Sequence, residues 1–133
     1  MDVSLAVMLV ANRFQYKKDS NFLLDSWSVM KDRNGVFYGD CEDFSLTVFW
    51  YLSDRNLLKF LFNLFFGKYK LIWCKTLDGQ YHFYGKVNGL CFDNWTKRTL
   101  PEEAFLKETG HKKICGMLMV LCIPQLIKGW LKR

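Results

Sequence analysis

Two short turn signals constrain this chain more than anything else in it. Leu77-Asp78-Gly79 and Asn88-Gly89 separate three short runs that are apolar or alternating, KYKLIWCKT, QYHFYGKV and GLCFDNW. Asp-Gly and Asn-Gly pairs accept the positive φ angles that tight hairpin turns require. The pattern therefore predicts a three-stranded antiparallel meander over residues 68–95. A further turn is expected at Asn34-Gly35.

Upstream of the meander the periodicity is helical. Val3, Leu5, Ala6, Leu9 and Val10 suit a short amphipathic helix within residues 2–13. In GDCEDFSLTVFWYL, Gly39 breaks the chain and Asp40 is a good N-cap. Glu42 and Asp43 fall in the first turn, where the helix dipole favours acids. Phe44, Leu46, Val48, Phe49, Tyr51 and Leu52 are too densely apolar for a half-exposed helix, so a buried helix is expected over 41–52. A second apolar helix is expected over about 56–66, ending at Gly67. Beyond the meander, Pro101-Glu102-Glu103 reads as a helix start. The run from Ile114 to Ile127 is short for a membrane span and is interrupted by Pro124. It reads as a buried helix, with a membrane-surface anchor as the alternative.

At 133 residues, with no linker composition and no repeat, the chain reads as one α+β domain over 1–133. The net charge of +6 invites a nucleic-acid reading. The basic residues are scattered rather than interleaved with aromatics in a stripe, so no nucleic-acid partner is expected. Five cysteines cannot all pair within one chain, and there is no Cys-x-x-Cys. Free thiols in a reducing, cytoplasmic compartment are the expectation. Asp2 and the lack of a basic leading region argue against a signal peptide.

Three residues carry chemistry when set on these elements. Cys41 opens the buried helix, where unpaired backbone N–H groups and the dipole favour a thiolate and can bind an oxyanion. His82 falls in the second strand of the meander and Asp93 at the end of the third, on either side of the Asn88-Gly89 turn. Residues flanking a tight hairpin can face each other, so the carboxylate can orient the imidazole toward the thiol. Asp40, Glu42 and Asp43 oppose ionisation of that thiol, so an imidazolium partner has to supply most of the activation. Singly, each residue also has an ordinary structural reading.

The string YGDCEDFSLTVFWYL resembles the nucleophile motif of the bacterial transglutaminase-like cysteine peptidases, Gly-Asp-Cys-Glu-Asp-aromatic-Ala followed by an apolar helix. Upstream, Asn12, Tyr16, Asp19 and Asp25-Ser26-Trp27 are similar to that family's approach to its cysteine. Downstream, QYHFYG and CFDNW follow its His and Asp segments in order. Ser45 stands where the family usually has Ala, and Val29-Met30-Lys31 where it has Thr-Pro.

The resemblance implies a papain-like core, with the Cys-bearing helix packed on a small antiparallel sheet bearing His and Asp. It implies thiol chemistry on an amide or peptide bond through Cys41, His82 and Asp93, with no metal or organic cofactor. Trp27, Gly39 and Asp40 are then expected beside the substrate, Trp27 having packing as its other reading. The substrate implied is a peptide, a protein or a cell-wall peptide, with hydrolysis, deamidation and transamidation all open. Two rivals remain: a catalytically silent interaction module on the same fold, and a small protein held at a membrane by its C-terminal segment. His111 and Cys115, four apart, would share a helix face but make only half a metal site. Oligomeric state is left open, the apolar helix at 56–66 being a possible dimer surface.

Overall fold

The computed structural model describes residues 1–17, 29–116 and 127. The chain is α+β, with α1 (Val3–Ala11), β1 (Phe14–Tyr16), β2 (Asp32–Arg33), β3 (Val36–Gly39), α2 (Cys41–Leu52) and α3 (Leu57–Phe65) in its first half. Then follow β4 (Tyr69–Lys75), β5 (Tyr81–Val87), β6 (Leu90–Phe92), β7 (Leu100–Pro101), α4 (Glu102–Thr109) and β8 (Lys112–Gly116). Four of the five expected helices and the meander are where the sequence puts them.

The meander is the middle of a larger sheet, ordered β7-β6-β5-β4-β8. The two edge strands were not expected. Residues Lys112–Gly116 pair with β4 as a strand, so His111 and Cys115 do not share a helix face. Ile114, Cys115 and Gly116 likewise leave the helix expected over 114–127, most of which lies outside the described residues. The physical reason is that β4 offers an open row of backbone donors and acceptors, which KKICG satisfies better than a helix end would. A second sheet, β1-β3-β2, closes its hairpin at Asn34-Gly35, both at positive φ.

Helix α2 lies on one face of the large sheet. Its N-terminus is capped by Asp40, whose carboxylate accepts from the Asp43 N–H. Phe44, Leu46, Val48 and Phe49 are wholly buried. Each such side chain contributes roughly 1.5–3 kcal/mol, so packing outweighs the cap, which is worth about 1 kcal/mol. Phe49 stacks on Tyr69 with centroids 5.0 Å apart and meets Phe92 edge-on at 5.9 Å. Gly85 permits this closeness, because a Cβ there would lie 2.6 Å from the Phe92 ring and 3.1 Å from Ser45 Oγ. Among the described residues, no helix is long and apolar enough to cross a membrane.

Candidate active site

Strand alternation decides which way each residue of β5 points. Phe83 and Val87 join the core under α2, with Gly85 between them. Tyr84 joins Ile72, Cys74, Cys91 and Phe105 in a smaller cluster under α4. His82 has the parity of Tyr84 and turns to that second face.

There His82 Nε2 meets Asp93 Oδ2 at 2.9 Å, both side chains buried. The hairpin register is Val87 to Leu90 and Gly85 to Phe92. Asp93 therefore extends β6 opposite Tyr84, and His82 lies one same-face position further along. The length of the imidazole spans the diagonal. The expected pairing forms, but diagonally rather than face to face.

The loop after β6 is folded around Asp93. Its Oδ1 accepts from the Trp95 N–H at 3.1 Å, the Thr96 N–H at 2.8 Å and the Thr96 hydroxyl at 2.9 Å. This wrap carries the Trp95 indole over His82, with ring centroids 4.8 Å apart. A second imidazole completes the group. His111 Nε2 also donates to Asp93 Oδ2 at 2.9 Å, and its ring lies 4.9 Å from that of His82. Burial alone would push the Asp93 carboxyl up. The hydrogen bonds from His111, His82 and the Thr96 N–H overcome it and hold the carboxyl well below the usual carboxylate range.

Nothing in the sequence pattern singled out His111 for this role. Its only local signal is Gly110 in the left-handed conformation, which ends α4 and turns the chain back to the sheet.

Cys41 reaches the same neighbourhood from the α2 side. In a two-residue hairpin the flanking residues form a hydrogen-bonded pair, so Val87, Gly85 and Phe83 direct their N–H groups toward β6. Strand β6 ends at Phe92, opposite Gly85, which leaves the Phe83 N–H beyond it. Cys41 Sγ takes that N–H. The sulfur thus sits at the sheet edge where Asp93 also leaves β6, against the residue next to His82.

Among the described residues no hydrogen bond joins Cys41 to His82. The thiol donates instead to Glu42 Oε2 at 3.1 Å. Burial, then the negative charges of Glu42 and Asp40 and the bond to Glu42, push the thiol well above its ordinary value; the Phe83 N–H opposes them. Glu42 itself is buried, and its Oε1 has no partner.

Gly39 and Asp40 are both buried. Asp40 caps α2. A Cβ at Gly39 would come within 2.8 Å of Asp43 Cβ and Met30 Sδ, so the glycine lets the 29–30 segment close on the helix. That segment is pinned by Thr47 Oγ1, which accepts from the Met30 N–H at 2.8 Å. Trp27, with Asp19 and Asp25-Ser26, lies outside the described residues.

No protein-family model, curated protein or solved structure matches the chain.

Proposed function

We propose that this chain is a cysteine-nucleophile hydrolase or acyltransferase acting on amide bonds, with a papain-like, transglutaminase-like core. The observation that carries the reading is that the helix-opening Cys41 is held on the N–H of Phe83, the residue next to His82, and that His82 is fastened to the buried carboxylate of Asp93.

In this reading Cys41 turns from Glu42 to His82 and gives up its proton to Nδ1. The thiolate attacks the carbonyl carbon, and the amine departs with the proton that His82 returns. Water, or a second amine, then attacks the thioester and releases Cys41. Asp93 keeps the Nε2–H tautomer in place and faces the imidazolium that forms. The N–H groups of Cys41 and Glu42, at the start of α2, are suited to the oxyanion. The substrate class is a peptide, a protein or a cell-wall peptide.

The second reading, a silent fold that binds a partner, is favoured by one observation: the thiol rests on Glu42 and is held neutral. Iodoacetamide labelling read by mass spectrometry separates the two, with exposed Cys115 as the ordinary thiol in the same molecule. Labelling of Cys41 faster than Cys115 below pH 8, abolished in His82→Ala, supports the hydrolase. Labelling slower than Cys115 at every pH favours the silent fold.

A further inference from the structure

His82, Asp93 and His111 are used only in part by this mechanism, because His111 has no step in it. The three come from β5, from the loop after β6 and from the residue before β8. Their buried ligand atoms lie within 4.8 Å of one another. Two imidazole nitrogens both point at a single carboxylate oxygen, at 2.9 Å each. Two nitrogens and one oxygen converging on one point are the donor set of an open-position site for a borderline divalent ion such as Zn²⁺ or Co²⁺.

We infer that His82, Asp93 and His111 form a binding site for a first-row divalent metal ion of the Zn²⁺ class. Neutral imidazoles and an ionised carboxylate are the protonation states such an ion needs. The ion enters where the two Nε2–H groups now meet Oδ2. Each ring moves its proton from Nε2 to Nδ1, so no proton is lost and the ion's charge faces the carboxylate. The fourth position is left to water or a ligand.

One feature limits the affinity. His111 Nδ1 is buried without a partner, so the proton it would carry in the bound state has no acceptor. The site should bind more weakly than a closed structural zinc site. Binding ties three separate segments of the sheet together and so should raise thermal stability. A further consequence rests on the hydrolase reading: an ion on Nε2 of His82 separates the imidazole from Asp93, which makes occupancy an off state of the triad.

The experiment is a titration of the whole purified chain with CoCl₂, followed by visible absorption and then by displacement with ZnCl₂. The expected result is one Co²⁺ per chain, displaced by Zn²⁺, lost in His111→Phe and in Asp93→Asn, and retained in Cys41→Ser and Cys115→Ser. Absence of a Co²⁺ spectrum in the native chain overturns the inference. So does a spectrum that survives His111→Phe, or one that vanishes in Cys41→Ser. Should His111→Phe not fold, Asp93→Asn decides in the same way: loss supports the site and retention overturns it. The two proposals fail separately. Rapid His82-dependent labelling of Cys41 without Co²⁺ binding sinks only the metal site, and Co²⁺ binding with slow labelling sinks only the hydrolase.

Discussion

The two faces of the five-stranded sheet are built from the same strands and hold in different ways. The face under α2 is a mainly apolar core in which Phe44, Leu46, Phe49, Leu71 and Phe92 pack together. The face under α4 has a small apolar cluster and, beside it, a buried carboxylate with two imidazoles around it. Shape holds the first, and loss of contact is its weakness. Hydrogen bonds converging on Asp93 hold the second, and loss of one partner strands the others. Cys41 belongs to the first face, His82 and Asp93 to the second. A reaction linking them has to cross the free edge of β5.

The largest effect should come from emptying the apolar face. Phe49→Ala removes a wholly buried ring stacked on Tyr69 and should cost about 3–5 kcal/mol in urea unfolding. A cost near that of a surface substitution would show that the α2 face is not the main core. On the polar face, Asp93→Asn replaces an oxygen that accepts from two imidazoles and should cost about 1–3 kcal/mol. If it is neutral, the network does not hold the fold. Gly85→Ala tests the contact between α2 and β5. Its new methyl meets the Phe92 ring, so a loss of about 1–3 kcal/mol is expected, with slower labelling of Cys41 as the helix is pushed off.

The pH dependence sharpens the contrast, because the polar face holds a buried carboxyl that folding makes more acidic. The Asp93 carboxyl is lowered on folding, so its stabilisation is fully present above its unfolded pKa of about 3.9. It is lost as pH falls through the lower folded value. Urea midpoints from neutral pH down to acid should fall for the native chain, and the slope should flatten in Asp93→Asn. An unchanged slope would assign the acid limb to other carboxylates. The smallest effect belongs to neither face. On α3, Leu58 is 81% exposed and Phe66, just after it, 77%. Leu58→Lys should change stability by no more than about 0.5 kcal/mol.

Much of this arrangement was legible beforehand. Asp40 as a cap, the apolar density of α2 and the two Gly-containing turns act between residues a few positions apart, so they read the same in the sequence as in the fold. The Asn88-Gly89 turn also fixes register, and register placed His82 and Asp93 on one face. The apolar helix at 57–65 was legible as a helix, whereas its exposed Leu57, Leu58, Phe62 and Phe65 were not. Apolar spacing reports periodicity, and only the packed molecule decides which face finds a partner.

The sequence by itself determined the local elements, the hairpin register and hence the His82–Asp93 pair, because short loops leave a strand few ways to return. Tertiary structure alone decided two things. Pairing of β8 with β4 brought His111 from 18 positions away onto Asp93. The end of β6 at Phe92 left the Phe83 N–H for Cys41. Each depends on contacts between separate segments, whose energies appear only once the whole sheet has closed and water has left it.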